Sequence, residues 1–201
     1  MGYYIFSYGI KTDQLIKSIG SNDADLLNGV LDTETFKLYS DQDFAGSVTT
    51  KHALEHLIFG KPYITESAHS YWYAFISICA YLGEALPATH EIKLGYETDI
   101  INDLLDKDFN LKINIEETLI NGDHSFPLPQ VRDWPLCGLI NKGQLSALKT
   151  QFENINITDE MLEALLDEDD EKEMAYDSIK QIKENISYCI GKDLELISFC
   201  H

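Results

Sequence analysis

Between Tyr71 and Leu82 the chain carries apolar side chains at nearly every position: Tyr71, Trp72, Tyr73, Phe75, Ile76, Ile78, Cys79, Tyr81 and Leu82. Strands of that length are rare, and a helix apolar on every side belongs in the middle of a core. The stretch is too short for a membrane span, which needs about 20 apolar residues. The segment Ser67 to Leu86, ended by Pro87, is therefore predicted to be a central buried helix, with Tyr71, Trp72, Tyr73 and Tyr81 filling the core. At 201 residues the chain is long enough to bury a sizeable core around it.

Local signals place the other elements around that helix. Tyr3 to Tyr8 is aromatic and β-branched and reads as a strand. Thr12 or Asp13 caps a short helix with Leu15, Ile16 and Ile19, stopped by Gly20, and Ser21, Asn22 or Asp23 caps the next, with Leu26, Leu27, Val30 and Leu31. The polar stretch from Asp32 to Gly46 reads as loop. Thr49 or Thr50 opens a helix through Ile58 and Phe59, closed by Gly60. Asp99 to Leu105 reads as a short helix. Phe109 to Ile115 alternates between apolar and polar and predicts a half-buried strand, with Asn121-Gly122 as a hairpin turn. Phe126 to Pro135 holds three of the five prolines and predicts a stiff extended loop. Within it, Trp134 reads as a plug over the core or a contact anchor, the plug being preferred. Gln144 to Phe152, Thr158 to Leu166 and the Ala175–Gly191 stretch read as helices, and Leu194 to Phe199 as a final strand. No internal repeat or clean linker appears. The expectation is one α+β domain over residues 1–201, helix-rich around a central buried helix, with a small sheet that includes both chain ends.

The formal net charge is −19, from 34 acidic and 15 basic side chains. That balance disfavours a direct nucleic-acid groove, which needs clustered Lys and Arg. Residues 153–173 hold ten of the acids against Lys172, a net of −9. The candidate partner-binding residues are Asp159, Glu160, Glu163, Asp167, Glu168, Asp169, Asp170 and Glu171. Like-signed clustering of this kind either solvates an inter-helix segment or speeds docking of a basic protein partner. A calcium loop is excluded, because the alternating ligands and the glycine at its sixth position are missing.

Catalytic motifs are sparse. His52-Ala-Leu-Glu-His56 matches the H-x-x-E-H pattern in which two histidines one turn apart hold zinc and Glu55 acts as base. Glu66, Glu84, Glu91 and Glu97 are available as a third ligand, but none lies in a recognisable second motif. A solvated helix face is the preferred reading of the segment, and a metal-dependent hydrolase stands as an alternative. Asp123-His124-Ser125 brings triad residue types together, yet triads are assembled in space rather than from neighbours. No glycine-rich phosphate loop is present. Cys79, Cys137, Cys189 and Cys200 show neither disulfide nor zinc spacing, which predicts reduced, buried thiols and a cytoplasmic location. The first residues lack the basic and apolar regions of a signal peptide.

Several landmarks together resemble a family of uncharacterised bacterial proteins distantly similar to the YfbM-like proteins. They are the opening Met1-Gly-Tyr-Tyr, Ala53-Leu-Glu-His-Leu-Ile-Phe-Gly60, Leu82-Gly-Glu-Ala-Leu86, Phe126-Pro-Leu-Pro, Asp133-Trp-Pro-Leu-Cys-Gly138 and Leu196-Ile-Ser-Phe-Cys-His201. The resemblance implies an α+β domain and no catalytic residues. The functional expectation is a non-enzymatic, cytoplasmic protein-binding domain without cofactor, possessing an immunity-type activity that neutralises a basic, nuclease-like toxin. A DNA-mimic regulator is a further alternative.

Overall fold

The computed structural model describes residues 2–41, 48–121, 126–131, 133–166 and 168–201. In chain order, β1 (Tyr4–Ile10) leads into α1 (Thr12–Ser18), α2 (Ala24–Leu31), α3 (Glu34–Ser40), α4 (Thr50–Ile58) and α5 (Ala68–Leu82). β2 (Ile92–Lys93), α6 (Tyr96–Phe109), α7 (Ile115–Ile120) and β3 (Leu136–Ile140) follow. The chain ends with α8 (Lys142–Gln151), α9 (Asp159–Leu166), α10 (Asp170–Gly191) and β4 (Glu195–Cys200). This is the expected helix-rich α+β class, and the small sheet includes strands from both ends of the chain. Two compact units are distinguishable: Met1–Gly9, Leu86–Asp123 and Cys137–His201 form one, Ile10–Ala85 and His124–Leu136 the other.

The second unit is built on α5. From Ser70 to Cys79 every residue of this helix is buried, and α1, α2, α3 and α4 all pack on it. Its serines are satisfied rather than orphaned: Ser70 Oγ donates to Val48 O at 2.7 Å and Ser77 Oγ to Tyr73 O at 2.9 Å. The proline segment is fastened to the same helix, with Trp72 Nε1 donating to Pro129 O at 2.9 Å and the Phe126 ring 4.8 Å from Phe75. Trp134 is half-buried.

Three expectations need correction in this unit. The helix ends at Leu82 with Gly83 as its cap, four residues before Leu86, so Tyr81 lies at the frayed end and is 45% exposed rather than in the core. The segment read as loop from Asp32 to Gly46 contains α3: Thr33 accepts from Phe36 N as the cap, and Phe36 and Tyr39 are buried. α1 is capped at Lys11, with no side-chain bond, rather than at Thr12 or Asp13. The cap of α2 is Asp23, which accepts from Asp25 N and Leu26 N, and that of α4 is Thr49. Gly20 and Gly60 end their helices at φ 72° and 62°, a left-handed backbone that costs glycine little.

The first unit holds the sheet, in the order β2-β1-β4-β3. β1 and β2 run antiparallel, pairing Tyr4 with Lys93 and Ile5 with Ile92. On the other side of β1, Tyr4 N donates to His201 O at 3.3 Å and the Ser7 and Ser198 hydroxyls meet at 2.7 Å, a constant-sum register of an antiparallel pair. The long helix α10 packs against α6, α8, α9 and β4. Its buried residues Ala175, Ile179, Ile182, Ile186 and Cys189 form the predicted stripe.

Here too the sequence pattern misled. Phe109–Ile115 is not a strand. Phe109 closes α6, Asn110 takes the left-handed cap at φ 52°, and Ile115 opens α7. The alternation survives as alternating burial of a connecting segment that gains no ladder partner. α6 itself runs from Tyr96 to Phe109, well beyond Asp99–Leu105. Gly122, Gly46 and the Asp123-His124-Ser125 motif lie outside the described residues, so the proposed hairpin turn is not addressed. All four cysteines are buried, and none is in a disulfide. Burial raises the thiol pKa of Cys137 and carries that of Cys200 up to about 12, so neither is an activated nucleophile.

Candidate functional site

The acidic candidates are placed by two amphipathic helices. Thr158 and Asp159 open α9, Leu162 anchors it, and a tight turn follows in which Glu168 N and Asp169 N both donate to Leu165 O, at 2.9 and 2.8 Å. α10 then begins at Asp170 and packs on α9. Asp159, Glu160, Glu163, Glu168, Asp169, Asp170 and Glu171 are all exposed. Asp167 lies outside the described residues.

These residues do not share one role. Asp169 caps α10 by accepting from Lys172 N at 3.0 Å. Asp159 accepts from Lys180 Nζ at 2.5 Å, and that bond raises the lysine pKa. Glu171 accepts from the Tyr96 hydroxyl, whose pKa rises for that reason first. The carboxyl of Glu160 is held below its usual range by the backbone N–H at its own position, then by the Thr158 hydroxyl. Acids in the first turn of a helix face unpaired N–H groups and the positive dipole end, so much of this charge is stabilising locally. Glu163 and Glu168 carry no such structural duty in the hydrogen bonds and ion pairs described, and Asp170 contributes only as a first-turn acid of α10.

His52, Glu55 and His56 lie on α4 as the motif requires, but the chemistry there is different. The Tyr71 hydroxyl oxygen accepts from Ile64 N at 3.2 Å and is hydrogen-bonded to His56 Nδ1, 2.8 Å away. Burial lowers the His56 pKa, with smaller contributions from Lys61 and His52, and the ring is neutral at pH 7. Among the described residues no three His, Cys, Asp or Glu side chains converge as metal ligands. The buried Tyr71 hydroxyl therefore ties α4, α5 and the Ile64 backbone together. Tyr71→Phe should cost about 1–2 kcal/mol by denaturant unfolding, since one N–H and one imidazole nitrogen lose their partner.

A second polar centre was not foreseen. Glu97, on the first turn of α6, is 2% exposed. Its Oε1 accepts from Ser178 Oγ of α10 at 2.5 Å and from His90 Nε2 at 3.1 Å, and its Oε2 from Lys93 N of β2 at 2.9 Å. Three donors from three segments thus converge on one buried carboxyl group. The His90 side chain is 38% exposed, and its Nε2 is the ring nitrogen that meets Glu97. The adjoining backbone is bolted to α10: Asn185 exchanges two hydrogen bonds with Ala88, at 3.1 and 3.0 Å, and His90 N donates to Gln181 Oε1 at 3.2 Å.

Residues 1–201 match the model of a domain of unknown function, DUF7691. The chain belongs to that family. No curated protein and no solved structure is significantly similar to it. The match spans both compact units of this DUF7691 chain, so the acidic segment and the Glu97 centre both fall inside the family domain. None of its described helices is long and apolar enough to cross a membrane. In the sequence, Glu97 is one of four acids available as a third metal ligand, and it precedes the helix expected from Asp99. Nothing local announces that Ser178, 81 residues away, closes over it.

Proposed function

We propose that this DUF7691 protein is a cytoplasmic, non-enzymatic binding domain of immunity type, which covers a basic, nuclease-like toxin with its α9–α10 surface. A bacterial source and kinship with the YfbM-like proteins belong to the same proposal and rest on the landmarks quoted from the sequence.

The observation that carries the reading is the company the acids keep. On α9, Met161 is 40% and Leu166 58% exposed, on the two flanks of an apolar arc whose middle, Leu162, is buried. A segment that only solvates the molecule has no use for exposed Met and Leu among its carboxylates. Apolar contacts rimmed by one sign of charge are the composition of a docking surface for an oppositely charged protein.

Stopped-flow association with a basic toxin domain encoded beside the gene tests this. Association should slow about 10-fold or more as ionic strength rises from about 0.05 to 0.5 M, because exposed charges are screened within a Debye length. Glu163→Gln, Glu168→Gln and Asp170→Asn together should slow the low-salt rate about 5- to 10-fold while costing no more than about 1 kcal/mol in unfolding, from the first-turn acid Asp170. A rate indifferent to salt and to the triple substitution would refute electrostatic docking.

A further inference from the structure

Along α10, Asp177, Gln181, Glu184 and Tyr188 recur at intervals of four, three and four residues and so form one stripe of the helix. Two cavities, each about 480 Å³, lie over this stripe and share Pro87 and Glu184, which makes them the two halves of one trough. One half is lined by Pro87, Ile155, Ile157 and Tyr188, and also by Lys180 and Lys183. The other half is lined by Ala88, Thr89 and His90 together with Asp177 and Gln181. One end is apolar and the other polar.

The charges in the trough are unequally occupied. Lys180 is paired with Asp159 at 2.5 Å, and Lys183 Nζ donates to Ile155 O at 2.5 Å and Glu153 O at 3.3 Å. Gln181 is used twice, by His90 N and by Asp177 Oδ2. What stays open to a ligand at the polar end is the second oxygen of Asp177 and the Glu184 carboxylate, beside the His90 ring that is held in place by the buried Glu97. Both are acceptors, and both formal charges are negative.

We propose that this trough binds an extended segment of the basic partner, placing an arginine guanidinium against Asp177, Glu184 and His90 and an aliphatic side chain against Ile155, Ile157 and Tyr188. Guanidinium offers donors in a fixed fork and suits clustered acceptors better than a point charge does. The stripe spans 12 residues of helix, about 16 Å at about 1.5 Å per step, the reach of about five residues of extended peptide. The site deepens the proposed function and rests on it only for the sign of the partner's charge.

The test is a titration of the isotopically labelled full chain, followed by NMR, with a blocked pentapeptide carrying leucine and arginine at its ends and glycines between, in both orders. Shifts are expected at residues 88–90, 155–157 and 177–188. Replacing arginine by neutral citrulline, or leucine by serine, should weaken binding about 5-fold each, an increment of about 1 kcal/mol. Asp177→Asn with Glu184→Gln should reduce the arginine peptide to the citrulline level and leave the citrulline peptide unaffected. Shifts confined to residues 159–171 would overturn the trough and leave the α9–α10 docking surface standing. Shifts in the trough alone would support the trough and remove that surface, and no shifts anywhere would overturn both.

Discussion

Glu97→Ala should cost about 3–5 kcal/mol in equilibrium unfolding, the largest effect of any polar substitution in the described residues. The wild-type side chain is buried and accepts from Ser178 Oγ, Lys93 N and His90 Nε2. Truncation leaves the buried Ser178 hydroxyl and the part-buried Lys93 N without their acceptor, and an unsatisfied buried donor costs about 1–3 kcal/mol. A cavity is added to that. Glu97→Gln keeps the Oε1 acceptor for two of the donors but sets an amide NH₂ against the Lys93 N–H, so it should lose about 1–2 kcal/mol. The contrast between the two variants is the diagnostic: equal losses would mean that volume rather than hydrogen bonding governs the site. Because the donors come from β2, α10 and the segment before β2, the alanine variant should also raise hydrogen exchange at Ala88 and His90.

Gly138→Ala should be nearly as damaging, by about 3 kcal/mol. Gly138 sits in β3 beneath the end of α7, where an added Cβ would lie 2.2 Å from Leu119 O, 2.8 Å from Leu119 C and 2.9 Å from Ile120 Cα. These obstacles are backbone, which cannot rotate out of the way, so strand and helix must separate. Overpacking commonly costs about 1–3 kcal/mol, and a backbone clash belongs at or above the top of that range. Gly191→Ala is the control. Its added methyl meets nothing within 4 Å, and at the end of α10 it should be neutral or stabilise by up to about 1 kcal/mol through helix propensity. If Gly138→Ala unfolds at the wild-type denaturant concentration, the close approach of α7 to β3 is wrong.

How much of this was readable beforehand depended on how local the signal was. α4 has a threonine cap, a buried stripe and a glycine stop within twelve residues, so it is legible on its own. α5 is legible for the opposite reason, since only a central helix can bury apolar side chains on every side. α3 escaped because its two core residues, Phe36 and Tyr39, stand among Glu34, Lys37 and Ser40, and a seven-residue helix offers barely one repeat of its period. Phe109–Ile115 deceived because alternation reports alternating burial, which a connecting segment can satisfy without a strand partner. β3 is five residues following the proline segment and owes its existence to β4, which no local pattern reveals.

The candidate sites divide in the same way. Exposure of the acids on α9 and α10 was legible, because charge clustered at helix starts has nowhere else to go. Their unequal duties were not, since Lys180 and Tyr96 are brought to them by the fold. The H-x-x-E-H motif was visible at once, but the Tyr71 hydroxyl that occupies His56 Nδ1 comes from another helix. The trough depends on two segments, 87–90 and 155–157, flanking one stripe of α10, and no spacing in the chain encodes that.

The proposed account turns on a molecule that works by charge laid against charge. The most direct measurement is growth of cells co-expressing the full chain with the toxin domain encoded beside its gene. The account predicts protection by the wild type, and a clear loss of protection in the Glu163→Gln, Glu168→Gln, Asp170→Asn variant at unchanged protein level. Undiminished protection by that variant, or protection abolished by His56→Ala alone in a protein that remains folded, would contradict it.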